Sequence, residues 1–344
     1  MNGFSVPNFS SLMPGKISPG EIEKIVNELA IVPSDNLYAV DSEAVNIASL
    51  QVLIRRYSSL QEYVADMERY ISDAVNRRAQ LVCFPIYAGL LPASLCPQFD
   101  RYLETIQPLE SGYPDAVQLH RMLSHCSDLA FDTFFHTMSL LAGRHRIYIM
   151  AGSTYYFDGA QLRHRAFLFS DTGELVGFQD KISVSLMEQE MGIVPAGEIR
   201  MFDTPVGQSS ILIGSDVEYY ETARIAKNLG ARLLLCPTAF PGEYTSVTAA
   251  LGLNLRVQET KLYGVQSALV GDSGLGFSLE GGCAIFAPNE LLKQKNGVLV
   301  KAGGRFYPDI ASATLNLDRL SRIQNPYTQD KNVEFMDKYA DRLY

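Results

Sequence analysis

The sequence of 344 residues predicts a layered α/β domain. Apolar runs rich in β-branched residues, such as residues 45–54 and 80–86, are typical of strands buried within a sheet. The segment 59–75 between them spaces its apolar residues three or four apart, as an amphipathic helix does. The chain contains no G-x-G-x-x-G fingerprint after a strand, so we expect no dinucleotide site.

The same alternation continues to the end of the domain. Further strands are predicted at residues 147–157, 209–216, 231–238, 265–270, 281–288 and 312–317. Further helices are predicted at residues 18–30, 115–144, 219–229 and 248–263. Residues 96–118 indicate a polar insertion, and residues 1–17 a loose N-terminal arm.

Composition excludes several classes of partner. Apolar residues make up 47% and charged residues 19%, as in a globular protein, and the net charge of −9 leaves no basic face for nucleic acid or an anionic membrane. No apolar stretch approaches the roughly 18 residues of a membrane span, and the N-terminus does not resemble a signal peptide. We therefore expect a cytoplasmic protein.

Cysteine and histidine are scattered rather than clustered. The five cysteines form no C-x-x-C pair, so neither a disulfide framework nor a zinc site is indicated, and we expect no metal and no cofactor. His145 and His164 each stand between two arginines, which favours a solvated surface for both. Cys83 and Cys236 fall in apolar runs and are interpreted as core residues.

Four segments in order carry a family pattern. They are a strand ending in glutamine (residues 48–51), LVCFPI (81–86), TGELVGFQDK (172–181) and TPVGQSSILIGSDVEYYE (204–221). These segments resemble the motifs of the nitrilase, or carbon–nitrogen hydrolase, superfamily over about residues 44–320. The resemblance implies a four-layer α-β-β-α sandwich that pairs helix to helix into a dimer or a larger homo-oligomer.

Members of that family use a glutamate as general base, a lysine that holds developing charge, and a cysteine nucleophile. The pattern places Ile86 at the glutamate position, Lys181 at the lysine position and Gly214 at the cysteine position. Thr204 and Asp216 fix the last register without a gap, so that Gly214 and not Ser215 takes the nucleophile position. Two losses make covalent catalysis implausible.

Lys181 is the one member of the triad that the sequence keeps. A buried lysine needs a carboxylate partner, so we expect Lys181 to pair with Glu188, Glu190 or a bound anion. Asp216 and Glu221 are interpreted as structural carboxylates that bind backbone N–H groups. The candidate pocket residues are Ile86, Tyr87, Lys181, Glu188, Glu190, Gly214, Ser215 and Thr238.

The sequence leaves three functions open. The first is an inactive member that binds a small polar or anionic ligand, regulates, or assembles with a partner. The second is an active hydrolase of non-peptide carbon–nitrogen bonds with an unconventional site. The third is a structural subunit beside a catalytic relative. The domain is expected at residues 44–320, between an arm with a short helix (1–43) and a C-terminal tail (321–344).

Overall fold

The computed structural model describes residues 17–35, 42–106, 114–159, 161–242 and 244–324, together with residues 334 and 338. The predicted arm at residues 1–17 therefore lies almost wholly outside the described residues, as does most of the predicted tail. The middle of the predicted insertion, residues 107–113, also lies outside them.

The described helices include the five predicted ones in order, although the helix predicted at residues 248–263 is interrupted at residues 250–254, and three short helices were not predicted. In chain order, the helices are α1 Pro19–Glu28, α2 Leu60–Asn76, α3 Phe99–Thr105, α4 Ala116–His145, α5 Leu186–Glu190, α6 Tyr220–Asn228, α7 Ser246–Ala249, α8 Leu255–Thr260 and α9 Leu317–Gln324. Short 3-10 segments span Ala88–Leu95, Gly214–Glu218 and Asn289–Leu291, and a π-helical turn spans Ala250–Asn254. No helix in the described ranges is long and apolar enough to cross a membrane.

The strands are mostly short and buried. They are β1 Val45–Leu53, β2 Leu81–Cys83, β3 Tyr148–Asp158, β4 Gln161–Phe169, β5 Leu175–Asp180, β6 Met201–Thr204, β7 Gly207–Ile211, β8 Leu233–Thr238, β9 Phe240–Pro241, β10 Tyr263–Asp272, β11 Ser278–Glu280, β12 Ala284–Phe286, β13 Val298–Lys301 and β14 Asp309–Leu315.

Most of these strands form one hydrogen-bonded path, β5-β4-β3-β2-β1-β10-β8-β7-β6. β1 joins its two halves, because it pairs with β2 through residues 47–49 and with β10 through residues 51–53, while β14 pairs with it through residues 45–51. β1, β2 and β3 run parallel in one half, and β10, β8 and β7 run parallel in the other. Parallel strands present their carboxyl ends at one edge, where ligand sites usually form.

Side-chain alternation along the strands separates the layers. Leu233 and Leu235 belong to a cluster that contains residues of both halves of the sheet, whereas Leu234 packs with α6 and α8. On the other side, Val82 packs with α1, α2 and α4. Successive strand residues point to opposite faces, so these clusters are the middle and the two outer interfaces of a four-layer α-β-β-α sandwich. The predicted fold class is confirmed.

One predicted strand is wrong in part. Residues 209–216 were expected to form a single strand, but β7 ends at Ile211 and a 3-10 turn begins at Gly214. Gly214 has a φ of +55°, which a continuing strand cannot accommodate. The carboxylate of Asp216 accepts the N–H of Ile213 at 2.9 Å and closes the turn.

Gly152 creates an irregularity that shapes the centre of the molecule. The pairing of β3 with β4 shifts register between Met150 and Ser153, and Gly152 has a φ of +78° at that point. A Cβ added to Gly152 would lie 1.9 Å from the carbonyl oxygen of Pro85. The backbone of β3 therefore approaches the residues after β2 as closely as only glycine permits.

We predict that Gly152→Ala destabilises the fold by about 3 kcal/mol or more, because both the backbone conformation and the contact with Pro85 become unfavourable. Gly159→Ala is the matched control, since Gly159 also has a positive φ (+62°) but its added Cβ meets no atom of the described residues within 4 Å, chain neighbours apart. That control is expected to lose roughly 1 kcal/mol. Urea unfolding of both variants measures the difference, and equal losses would contradict the prediction.

Candidate functional site

Ile86 and Gly214 are brought together beyond the carboxyl ends of β2 and β7. Ile86 is 3% exposed and belongs to the cluster between the two halves of the sheet. A Cβ added at Gly214 would lie 3.0 Å from Cδ1 of Ile86, and, apart from its chain neighbours, no other heavy atom of the described residues is within 4 Å. The two positions that the family pattern assigns to base and nucleophile are thus adjacent, and a methyl group of Ile86 faces the vacant side of Gly214.

Lys181 lies at the end of β5, with a side chain that is 5% exposed. Its ammonium Nζ donates to Oε2 of Glu188 at 2.6 Å. Glu190, the other glutamate that the sequence left open, is exposed. Ser185 and Glu188 form a complete capping box that begins α5, with Oε2 also accepting the N–H of Ser185 at 2.8 Å. The Ser-x-x-Glu spacing was visible in the sequence and favours Glu188.

The other carboxylate oxygen of Glu188 also has a hydrogen-bond partner. Oε1 of Glu188 lies 2.7 Å from Nδ1 of His164, and Nε2 of His164 lies 2.8 Å from Oγ of Ser153. The backbone N–H of Tyr87 donates to the same Oγ at 3.2 Å. Lys181, Glu188, His164, Ser153 and Tyr87 therefore form one continuous network, which we call the buried polar network.

The charges of this network follow from burial. Burial lowers the pKa of His164 more than its bond to Glu188 raises it, so the imidazole is neutral at pH 7. Burial alone would raise the pKa of Glu188, but the bonds from His164 and Lys181 outweigh it and hold that pKa well below its usual value. An ionised carboxylate only accepts, so Nδ1 of His164 carries the hydrogen and Nε2 accepts from Ser153.

Tyr87 covers the network. Its ring stacks on His164 with centroids 5.0 Å apart and planes 15° apart, and its φ of +61° is unusual for a residue with a side chain. Tyr155 packs against the same imidazole at 4.8 Å, and its hydroxyl lies 3.5 Å from that of Tyr87. The two aromatic rings enclose His164.

Ser153, His164 and Glu188 have the connectivity of a hydrolytic Ser–His–acid relay. They differ from a working relay in accessibility, because Ser153 and His164 each have 0% of their surface exposed. The Ser153 hydroxyl already accepts one hydrogen bond and donates another, both within the protein. No acyl group can approach this oxygen in the structure, so the arrangement acts as a buried hydrogen-bonded support.

Asp216 is the second buried carboxylate near Gly214. It accepts from the backbone N–H groups of Ile182, Ser183 and Ile213 at 3.0, 2.6 and 2.9 Å. Burial raises its pKa to about 6, although these bonds act in the opposite direction. The predicted structural role of Asp216 is confirmed: it ties the residues after β5 to the turn after β7. Glu221 lies in the first turn of α6.

Ser215 and Thr238 use their hydroxyls on backbone carbonyls. Ser215 donates to Ser183 at 2.9 Å, and Thr238 donates to Ser267 at 2.7 Å. Gly214 and Ser215 both lie in the 3-10 turn and not in the strand predicted at residues 209–216. Gly214 still holds the position adjacent to Ile86.

The cysteines contribute no accessible nucleophile. All five are free and buried. Cys236 packs near Gly214, but burial raises its pKa well above the usual value, and burial does the same for Cys83. A nucleophilic cysteine needs a thiolate, which these surroundings disfavour. Among the described residues, no group of three or more His, Cys, Asp or Glu side chains could hold a metal ion.

Comparison with known proteins decides the family. The model of the family described as carbon-nitrogen hydrolase matches residues 46–324, which is most of the chain. This chain belongs to the carbon–nitrogen hydrolase family. The probable hydrolase YhcX of Bacillus subtilis (strain 168) is 22% identical over 307 residues, which are 87% of this chain and 56% of that protein. The chain thus spans little more than half the length of that relative.

Solved structures show the same carbon–nitrogen hydrolase fold. Two structures of the amidase from Nesterenkonia sp. AN1, a member of the nitrilase superfamily, align with TM-scores of 0.62 and 0.61 at 22% identity. They cover 87% and 88% of this chain and 98% and 100% of the amidase chain. Another structure of that amidase carries the acetamide moiety of fluoroacetamide on its active-site cysteine. At this identity the likeness establishes the fold.

Two histidines of this family member are placed differently from expectation. His145 and His164 are each 0% exposed, so the predicted solvated surface is wrong for both. In β4, His164 shares a strand face with Ala166 and Leu168, both in the core, and this alternation was the signal that the flanking arginines obscured. Arg165 is itself buried, because Asp180 binds its Nε at 2.6 Å and Phe178 lies beneath its guanidinium.

An apolar cavity of about 360 Å³ lies beside the buried polar network. Tyr87, Tyr155 and Met187 form the wall that the two share, whereas Ile86, Lys181 and Gly214 do not line the cavity. The remaining walls come from α3, α4, the segment Ala88–Leu95 and residues 272–279. The cavity is thus next to the positions that the family pattern assigns to catalysis rather than at them.

We predict that Glu188→Gln destabilises the protein by about 3 kcal/mol, because the buried ammonium of Lys181 loses its counter-charge. Glu190→Gln is the matched control on the same helix, and an exposed glutamate is expected to change stability by less than about 0.5 kcal/mol. Chemical unfolding at pH 7 measures both variants. A Lys181→Met/Glu188→Leu double variant should recover part of the loss, and failure of Glu188→Gln to destabilise would contradict the role of the pair.

The lowered pKa of His164 predicts a stability that depends on pH. Below the ordinary histidine pKa of about 6.5 the unfolded chain binds a proton that the folded chain refuses, so stability decreases as pH falls from 7.5 to 5. His145 acts in the same sense, because burial lowers its pKa to about 4, while Asp216 acts in the opposite sense. We therefore compare the slope of the free energy of unfolding against pH in two chains. The His164→Gln variant should lose less stability between pH 7.5 and 5 than the unmodified chain. Identical slopes in urea unfolding would show that His164 does not titrate as described.

Proposed function

We propose that this carbon–nitrogen hydrolase family member does not hydrolyse amides or nitriles by the cysteine mechanism and instead binds a small molecule without turnover. The observation that carries the proposal is the contact between Ile86 and Gly214. Cδ1 of Ile86 lies 3.0 Å from the position that a Cβ at residue 214 would occupy. At the two positions where the family mechanism needs a proton acceptor and a nucleophile, this chain has the alkyl side chain of isoleucine and the hydrogen atom of glycine.

The state of Lys181 supports the same proposal. Its ammonium donates to Glu188 at 2.6 Å and is almost fully enclosed. An anionic ligand at this lysine would have to compete with a carboxylate that is already ionised and charge-paired. The polar or anionic ligand considered from the sequence is therefore a weaker proposal than a neutral ligand in the neighbouring cavity.

Substitute nucleophiles are poorly supported. Ser215 donates its hydroxyl hydrogen to a backbone carbonyl and not to a base. Ser153 has a neutral imidazole beside it but no exposed surface. Cys236 has neither exposure nor a pKa that favours the thiolate. An active hydrolase with a displaced site stays the alternative that an activity measurement must test.

An assembly role is the second candidate. Helix α6 exposes the large apolar side chains of Ile225 and, at its end, Leu229, which are 45% and 53% exposed. Exposed apolar side chains on a helix are compatible with helix-to-helix pairing, either with a second copy or with a catalytic relative. The homo-oligomer and the cytoplasmic location expected from the sequence stay predictions.

The test is release of ammonia from acetamide, propionamide and benzonitrile by the purified chain. We expect the rate to equal that of a buffer blank and to be unchanged in Lys181→Met, a variant of similar volume that is first checked for folding by circular dichroism. Turnover that disappears in Lys181→Met would indicate an active family mechanism. Turnover that survives in Lys181→Met would indicate a displaced site, and either result would overturn the proposal.

A further inference from the structure

We infer that the apolar cavity behind Tyr87 is a binding site for a neutral, mainly apolar small molecule that carries one hydrogen-bonding oxygen. This inference names the ligand class and the place for the binding role proposed above, and it rests on that role. The volume of the cavity, about 360 Å³, falls at the lower end of the range for small-molecule sites. A molecule with a chain of about eight carbons is of suitable size for such a space.

The walls define the apolar part of the ligand. Leu103, Met122, Leu123 and Phe277 line the cavity with hydrocarbon side chains. Met122 and Leu123 are buried, so core side chains form the inner part of the cavity, and its mouth is partly open to solvent. Removing an alkyl chain from water into such walls is favourable by roughly 25 cal/mol for each Å² buried.

The charges at the rim exclude a charged ligand. Arg56 lines the cavity, but its guanidinium is paired with Asp100 at 2.8 Å. Arg55 is paired with Glu62 at 3.0 Å and lies 3.5 Å from Asp66. Each arginine therefore has a carboxylate partner, and Asp272 adds a further negative charge to the lining. A buried carboxylate on the ligand would have no counter-charge, and a buried ammonium would have only Asp272, whose carboxylate is exposed and already accepts the N–H of Gly274 at 2.9 Å; burial of either charge is therefore costly.

The polar contact comes from the hydroxyls of Tyr87 and Tyr155. They lie 3.5 Å apart, and both residues line the cavity. A contact between two hydroxyls uses only one of the two hydrogens, so the other can be donated to a ligand oxygen. Tyr87 is held in place by its stacking on His164 and by its N–H bond to Ser153. The buried polar network thus fixes the orientation of the group that would receive the ligand.

Binding of 1-octanol tests the inference, because this probe contains no carbon–nitrogen bond and cannot report on hydrolysis. Isothermal titration calorimetry is expected to show saturable binding with a Kd below about 1 mM. Octanoate, with the same chain length and a negative charge, should bind at least about tenfold more weakly. Absence of 1-octanol binding to folded protein would overturn the inference, and equal binding of octanoate would overturn the neutral class.

Two variants with matched controls locate the site. Ala130→Phe fills the cavity and should abolish binding, whereas Val117→Phe, on the exposed face of the same helix α4, should not change it. Tyr87→Phe keeps the ring and removes the hydroxyl, and should weaken binding about tenfold. Tyr219→Phe, at an exposed position, is the control for that change.

These outcomes separate the two proposals. Octanol binding that is unaffected by Ala130→Phe and Tyr87→Phe would place the ligand elsewhere and overturn the inference. If Ala130→Phe does not fold, Tyr87→Phe alone decides the position of the hydroxyl contact. Binding with the expected dependence, combined with ammonia release from amides, would keep this site and overturn the absence of hydrolysis.

Discussion

The ion pair between Lys181 and Glu188 is the constraint around which the centre of this protein is arranged. A buried ammonium is tolerated only beside a counter-charge, and Glu188 supplies it at 2.6 Å. The same carboxylate completes the capping box that begins α5 and accepts the hydrogen of His164. One side chain therefore joins the end of β5, a short helix and β4. The ammonium of Lys181 and the carboxylate of Glu188 balance each other's charge.

This balance gives Lys181 a structural reason to be present whether or not the chain uses the family chemistry. Removal of Lys181 would leave an ionised carboxylate enclosed between His164 and the turn before α5, and removal of Glu188 would leave an enclosed ammonium. Either change costs more than a surface substitution, because the remaining charge has no water to solvate it. The presence of Lys181 is therefore as well explained by stability as by catalysis.

The sequence predicted the layers of this fold because alternation of apolar residues is a local property. It failed where distant groups decide the outcome. The strand expected at residues 209–216 ends early, since Gly214 turns the chain and Asp216 receives N–H groups from residues 182 and 183 across the molecule. Arg165 is buried because its partners lie on a neighbouring strand, and this pairing cannot be read from the residues beside it.

The sequence predicted several residues of the candidate site but not the hydrogen bonds that connect them. Family register placed Ile86 beside Gly214, whereas His164, Ser153 and Tyr155 gave no motif in the sequence. The partner of Lys181 could have been chosen from the Ser185-x-x-Glu188 spacing, because a capping box turns that glutamate back toward the helix start. Only strand alternation indicated that His164 belongs to the buried polar network, because its arginine neighbours point to the opposite face of the strand.

The buried polar network also shows why the order of residues in a relay is not evidence of activity. Hydrogen bonds from Ser153 to His164 and from His164 to Glu188 match the order found in serine hydrolases. Catalysis further requires an open approach to the hydroxyl and donors for the developing oxyanion. Here the backbone of Tyr87 occupies one side of the hydroxyl, and the ring of Tyr87 covers the imidazole. In a hydrolase, such polar groups would face the substrate. Here they hydrogen-bond to other groups of the protein, and these bonds hold Tyr87 where it forms a wall of the adjoining cavity.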